Sequence, residues 1–298
     1  MNRRGIKIMK NYVIVTDSTA DLPVNIIEEY NLTVVPLSYS FENENYINYP
    51  DHRQLAIKEF YERIKKGERS TTTLVNAKTF EEYLTPLLEA GNDILYLGFS
   101  SPLSGTYGSS LIAREELSEK YTDARIECID TLAASMGEGL LIYYAAKMKQ
   151  EGKNLDEVKQ WILENNLHLC HWFTVDDLNH LKRGGRINAM TATIGTALGV
   201  KPILHVDNGG HLVSVTNVRG RKKSIHALLE QMETTCINPE ENSVFISHAD
   251  CLEDAEYLGN LIKEKLNVKE VVINFIGPVI GSHTGQGALA LFFFGKER

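Results

Sequence analysis

Tyr12-Val-Ile-Val-Thr16 is an unbroken apolar run that gives way at once to the polar stretch Asp17-Ser-Thr-Ala-Asp-Leu-Pro23. The same transition recurs where residues 93–99 meet Ser100-Ser-Pro-Leu-Ser-Gly-Thr106, and residues 125–130, with charged residues interleaved, are a further strand. A continuous rather than alternating apolar run is the pattern of a strand covered on both faces, as in parallel sheets flanked by helices. Helix-period segments lie between these runs: one through Tyr30, with Asp21 as its cap and Pro23 as its opening residue, then 53–66, 78–90 ended by Gly91, the helix carrying Leu111 and Leu117, and 133–150. Residues 33–38 are a further strand candidate, followed by a polar loop. Alternating strands and helices, with strands ending in small hydroxyl residues, predict a parallel α/β sheet whose ligand edge lies at the strand C-termini.

After Gly152 the pattern changes. A helix over 155–165 leads to a strand at 168–175 and then to a glycine-rich tract, 182–220, holding two strands at 202–206 and 211–218. The intervening Asp207-Asn-Gly-Gly210 is a hairpin signal, because Asn and Gly accept the positive φ angles of tight turns. A helix at 223–234, a strand at 243–247, a helix at 252–266 and a strand at 271–276 follow. The chain therefore reads as α/β, with an N-terminal parallel-sheet domain over 1–165 and a C-terminal mixed-sheet domain over 166–298. At 298 residues two compact domains are the natural division, one large α/β domain being the alternative.

A formal net charge of −8 disfavours nonspecific nucleic-acid binding and docking on an acidic membrane. The one basic cluster, Arg219, Arg221, Lys222 and Lys223, is as well explained by a solvated helix start as by a partner site. Cys128, Cys170, Cys236 and Cys251 form no CxxC pair and read as reduced, mostly buried thiols. Residues 1–10 are basic but lack an apolar signal-peptide core, and the later apolar runs fall short of the ~20 residues that span a bilayer. The expected compartment is the cytoplasm.

Three segments gather polar groups at the expected ligand edge: Thr71-Thr72-Thr73, the loop from Ser100 to Thr106, and the glycine-rich Gly277-Pro-Val-Ile-Gly-Ser-His-Thr-Gly-Gln-Gly287. Hydroxyls and free backbone N–H groups suit an oxyanion. For the threonines and Ser104 the competing explanation is helix capping. His283 stands apart, because a glycine-rich loop offers an imidazole little bulk to pack against; His52, His171 and His226 read as surface or packing residues. A serine hydrolase would need Ser100, Ser101 or Ser104 as nucleophile, His283 as base, and Asp17, Asp130 or Asp250 behind it. No Walker A loop and no metal-ligand spacing occur, so no cofactor is expected.

With these segments in hand, the whole chain resembles the DegV family of bacterial fatty-acid-binding proteins. The resemblance is carried, in order, by Val15-Thr-Asp-Ser-Thr-Ala-Asp-Leu-Pro23, Ser100-Ser-Pro-Leu-Ser-Gly-Thr-Tyr107, and Ile129-Asp130 with Ser135 and Gly137. It continues through Leu181-Lys-Arg-Gly-Gly-Arg-Ile187, Gly199-Val-Lys-Pro-Ile203 and Ile276-Gly-Pro-Val-Ile-Gly-Ser-His-Thr-Gly285. Two departures stand out: Thr72-Thr-Leu-Val75 where the family has TSQP, and His283-Thr-Gly-Gln-Gly287 where it has HTGPG.

The resemblance implies a long-chain fatty acid bound between or beneath two α/β domains. Its carboxylate would be held by Thr72, Ser104 and His283, with Arg183 or Arg186 of the RGGR stretch, while the first departure leaves the hydroxyl open among Thr71, Thr72 and Thr73. The implied role is a lipid-binding carrier that presents the acid to a separate kinase resembling dihydroxyacetone kinases and retains the acyl phosphate for phospholipid metabolism. The alternatives are a lipid or thioester hydrolase using Ser104 or Ser101 with His283, and a lipid sensor.

Overall fold

A computed structural model describes residues 10–187 and 199–298; the basic opening segment and the centre of the glycine-rich tract lie outside the described residues. In chain order the first half holds β1 (Tyr12–Asp17), α1 (Val24–Glu29), β2 (Thr33–Val35), β3 (Ser38–Phe41), β4 (Glu44–Ile47), α2 (Ile57–Lys65), β5 (Ser70–Thr73), α3 (Ala77–Glu89), β6 (Asp93–Gly98), α4 (Thr106–Lys120), β7 (Ile126–Asp130), α5 (Met136–Gln150) and α6 (Leu155–Asn165). The second holds β8 (Leu169–Thr174), α7 (Asn179–Arg183), β9 (Val200–Val206), β10 (Leu212–Arg219), α8 (Arg221–Thr235), β11 (Ser243–His248), α9 (Leu252–Leu266), β12 (Glu270–Phe275), α10 (Pro278–Thr284) and β13 (Leu289–Phe294).

The apolar strands form two sheets. The first, in order β2-β1-β6-β7, is wholly parallel. The second, β10-β9-β8-β13-β11-β12, is mixed, with only β11 and β12 parallel. A small antiparallel sheet, β4-β3-β5, completes the first half. Because side chains alternate along a strand, each large sheet supplies two cores. Val13, Val15, Ile94 and Tyr96 turn outward to α3 and α4, whereas Ile14, Leu95 and Leu97 turn inward. On β13, Leu289, Leu291 and Phe293 pack with α8 and α9, while Ala290 and Phe292 face the inner core.

Helix α5 fills the space between the sheets and packs on β1, β6, β8, β11 and β13. Its residues from Met136 to Tyr143 are all buried, the mark of a helix covered on every side. Leu140, Leu141 and Ile142 are fully enclosed, each worth roughly 1.5–3 kcal/mol of apolar burial. Two glycines permit this closeness. A Cβ at Gly139 would stand 2.7 Å from the Ala20 carbonyl oxygen, and one at Gly137 would run into His171 Nε2.

Several expectations are corrected. Asp21 does not cap α1, and Pro23 occupies the cap position with no side-chain bond; the Asp21 carboxylate is buried against tertiary partners instead. Thr71–Thr73 belong to β5 and not to a cap, Asn76 being the residue that caps α3. The polar stretch before α2 contains β4, whose mostly exposed side chains leave no apolar signal. The glycine-rich segment around His283 is largely the helix α10, with Pro278 in its first turn. The sequence pattern also lacks β13, a strand buried on both faces between β8 and β11.

Of three buried acids along the seam, Asp21 ties the halves together. Asp21 Oδ2 accepts from Ser135 Oγ at 2.6 Å and Oδ1 from the Gly277 N–H at 2.9 Å, while Asn274 Nδ2 donates to its carbonyl at 2.8 Å. Glu138 accepts from Thr16 and Thr19 hydroxyls, both at 3.0 Å, and Asp17 from Tyr96 at 2.8 Å. Burial pushes all three carboxyls up, Asp21 to about 8, with the Ser135 and Gly277 bonds opposing the rise. A group that holds its proton more tightly when folded contributes most stability below its ordinary pKa, and that contribution fades as pH climbs through the folded value. Asp21→Asn should therefore gain melting temperature relative to the wild type as pH rises from about 5 to about 8. A difference in melting temperature that stays constant across the range contradicts this.

Candidate functional site

Between the sheets, a cavity opens at the C-terminal edge of the parallel sheet, with about 1000 Å³ of empty space including its mouth. Its long wall comes from β13 and the residue before it. Ala288, Ala290 and Phe292 lie two apart on one face, a span of roughly 13 Å. The two alanines leave a groove, and Phe292 closes it. Opposite Ala290 and Phe292 on β8 stand Phe173 and His171, and Ala134 and Ser135 contribute from the start of α5.

The polar end is built by three elements. Period-two alternation on β5 sends Ser70 and Thr72 towards α10, where Ser70 Oγ meets Ser282 Oγ at 2.7 Å and Thr72 Oγ1 meets His283 Nε2 at 2.9 Å. Thr71 bonds Ser40 instead, at 2.8 Å. Of the three threonines it is thus Thr72 that lines the cavity. Ser104, in the loop after β6, also lines it; its hydroxyl shares a 3.0 Å hydrogen bond with Thr106 and accepts from the Thr106 N–H at 3.2 Å.

His283 sits in the last turn of α10, which ends at Gly285 with φ +73. The ring packs on Gly184, where a Cβ would run into Nδ1, so the first glycine of the RGGR stretch is required by the imidazole. Arg186 lines the cavity and donates through Nε to the Leu103 carbonyl at 3.1 Å and through Nη1 to the Gly184 carbonyl. Arg183 is exposed, outside the cavity lining, with Nη2 bonded to His180 Nδ1 at 3.1 Å. Thr72, Ser104, His283 and Arg186 thus converge on one end, and Arg183 does not join them.

This end offers two hydroxyls, an imidazole and a guanidinium, a donor set for an oxyanion. Burial, helped by the nearby Arg186 charge, depresses the His283 pKa to about 4. Among the described residues no hydrogen bond joins Ser100, Ser101 or Ser104 to His283, or His283 to an aspartate. Ser100 Oγ donates to the Gly210 carbonyl at 2.8 Å, Asp130 accepts from Ser101 and Leu132 N–H groups, and Asp250 accepts from Gln286. Nor, among the described residues, do three or more His, Cys, Asp or Glu side chains gather to hold a metal ion, and no helix is long and apolar enough to cross a membrane.

The β13 alanines were not expected from the sequence to line a cavity, and His171, expected there as a surface or packing residue, is buried against Phe292. Gly287-Ala-Leu-Ala-Leu-Phe-Phe-Phe294 does carry a signal, since alanine at every second place in a strand of large residues marks a groove on one face. His171 carried none.

A family model described as an uncharacterised protein, DegV family, matches residues 11–296. A DegV domain-containing protein of Clostridium perfringens is 50% identical over 290 residues, 97% of this chain and 99% of that protein. A solved structure of a DegV lipid binding protein from Thermotoga maritima shares the fold with a TM-score of 0.86 at 29% identity, over 97% of this chain and 99% of its own. A structure described as fatty acid binding of a DegV family protein from Thermus thermophilus gives a TM-score of 0.86 at 28% identity, over 96% and 99%.

In the ligand-free protein, the depressed pKa keeps His283 neutral across the physiological range. Its imidazole resonances should stay constant from about pH 8 to pH 5 in an NMR titration. A midpoint near the ordinary histidine value, about 6.5, contradicts the packed geometry.

Proposed function

The chain belongs to the DegV family, and from that premise we propose that it binds a long-chain fatty acid with the acyl chain in the cavity and the carboxylate on Thr72, Ser104, His283 and Arg186. The observation that carries the proposal is the division of the cavity: an apolar groove along β13 ends in a cluster of anion donors. Burying about fifteen methylenes at ~0.8 kcal/mol each supplies on the order of 12 kcal/mol of gross driving force, before the costs of association. A carboxylate drawn in with that chain needs paired donors, because an unpaired buried charge costs several kcal/mol. The similar Thermotoga and Thermus proteins, described as binding lipid and fatty acid, support the same ligand class.

The reading extends to a carrier that presents the carboxylate to a separate ATP-dependent kinase resembling dihydroxyacetone kinases, in the cytoplasm, and holds the resulting acyl phosphate. Support comes from the placement of the head group. Thr72, Ser104 and His283 are each partly exposed, and Leu74 beside them is 42% exposed, so a second protein can reach the carboxylate end. The division into domains 1–165 and 166–298 belongs to this reading, with the cavity between them; every strand of the parallel sheet precedes it and every strand of the mixed sheet follows.

Protein purified from a bacterial host should carry close to one long-chain monocarboxylic acid per chain, found by native mass spectrometry and lipid extraction. Only phospholipid background would overturn the ligand assignment, and turnover of chromogenic acyl esters above buffer would favour a hydrolase. His283→Ala should lose roughly ten- to a hundredfold in fatty-acid affinity, about 1–3 kcal/mol, with a folded ligand-free protein. Unchanged affinity in the folded variant removes His283 from the site.

A further inference from the structure

Asp21 stands between the cavity and a second, smaller space. On one side its carboxyl group meets Ser135, which lines the cavity; on the other it borders a polar pocket of about 340 Å³, mouth included, that Ser18, Asn48 and His52 also line. The Ser135 hydroxyl is 2.6 Å from Oδ2 and 3.0 Å from Ser247 Oγ. Ser135 has φ +52 and ψ −145, backbone that a residue with a side chain holds only where its surroundings fix it, and such residues gather at ligand clamps and switches. Asp21 Oδ1 at the same time holds the Gly277 N–H, at the head of the helix that carries His283. One carboxyl group thus braces two parts of the cavity wall, Ser135 and, next to Gly277, Ile276.

The carboxyl keeps these bonds in either protonation state. Ionised, Oδ2 accepts from Ser135; protonated, it donates to Ser135 Oγ, which turns its own hydrogen to Ser247. The titratable groups around it are Asp17 at the end of β1, Glu138 on α5, Tyr61 on α2 and His52 in the loop before α2. Its neighbours from β11, β12 and α10 are Ser247, Asn274 and the Gly277 N–H, which carry no charge. Among the described residues, the donors to Asp17, Asp21 and Glu138 are hydroxyls and main-chain N–H groups, with no cation.

We infer that Asp21 is a proton-linked positioning residue: the protein takes up a proton at Asp21 when it binds a fatty acid, and its affinity therefore falls as pH rises. This rests on the fatty-acid reading above and adds the regulation of the same site. Two effects have the same sign. An acyl chain filling the cavity strips water from the Ser135 wall, and the head group brings a negative charge toward the buried acids; both favour the neutral carboxyl. The free protein already holds Asp21 at about 8, chiefly by burial, whereas His283, held at about 4, does not titrate in that range. With the bound value above the free one, affinity is greatest below about pH 8, declines as pH passes the free value and levels off beyond the bound one.

The test is calorimetric titration of delipidated wild-type protein and Asp21→Asn with hexadecanoic acid from about pH 6.5 to about pH 9.5. Asparagine keeps the shape of the neutral acid, accepting from Gly277 and donating to Ser135 at every pH, and ionisation of the ligand is common to both proteins. The ratio of affinities, variant over wild type, should rise about tenfold across that range, the change produced by a displacement of about one pH unit at Asp21. In wild type labelled with carbon-13 at the aspartate carboxyl, the Asp21 resonance should titrate near pH 8 without ligand and about one pH unit higher with hexadecanoic acid, a readout that does not depend on the variant folding. A ratio that stays constant with pH, or an Asp21 midpoint that hexadecanoic acid leaves in place, overturns the inference and leaves Asp21 as a structural brace. Absence of hexadecanoic acid binding at every pH overturns the fatty-acid reading, and this inference with it.

Discussion

Because α5 is covered by the parallel sheet on one side and the mixed sheet on the other, its own packing fixes how far apart the halves of the chain can stand. Leu140, Leu141 and Ile142 hold them together through apolar contact, and Gly137 and Gly139 let the helix approach His171 and the Ala20 carbonyl. The cavity exists where this contact stops. At the start of α5, Ala134 and Ser135 face Ala288, Ala290 and Phe292 across a gap that neither sheet fills. A larger residue in place of either alanine would restore close packing at the expense of the groove.

The polar chemistry is arranged along the same seam in two layers. Deep in it, Asp17 and Glu138 are satisfied by hydroxyls and main-chain N–H groups of the first half, and Asp21 reaches across to hold the Gly277 N–H at the start of α10. At the surface, α10 delivers His283 to Thr72, and Gly184 gives the ring its place. The buried acid therefore positions the helix that carries the imidazole, and the donor end of the cavity is held in place by bonds within the protein. Away from that end the cavity is lined mainly by apolar side chains, among them Phe173, Ala288, Ala290 and Phe292.

The sequence disclosed much of this in a physically traceable way. Buried strands at Tyr12–Asp17 and Asp93–Gly98 are legible because both faces are covered, so no polar residue interrupts the run. The Asp207-Asn-Gly-Gly210 turn gave the β9–β10 hairpin, Gly210 adopting φ +81. Failures have equally specific causes. The strand β4 has mostly solvent-facing side chains, and Asp21 looked like a cap because its partners, Ser135 and Gly277, are more than a hundred residues away. Glycines around His283 suggested an open loop, whereas they admit Phe60, Tyr61 and His180 close to the helix backbone.

What the sequence determined by itself is the α/β class, the order of most elements, the change from parallel to mixed pairing and the donor types gathered at the polar end of the cavity, since each is written in local composition and spacing. Tertiary structure alone decided which threonine faces α10 and that Arg186 and not Arg183 lines the cavity. Those outcomes depend on strand register and helix placement between segments distant in the chain. A shift of one residue in β5 or β8 would have turned a different side chain inward while leaving every local signal unchanged.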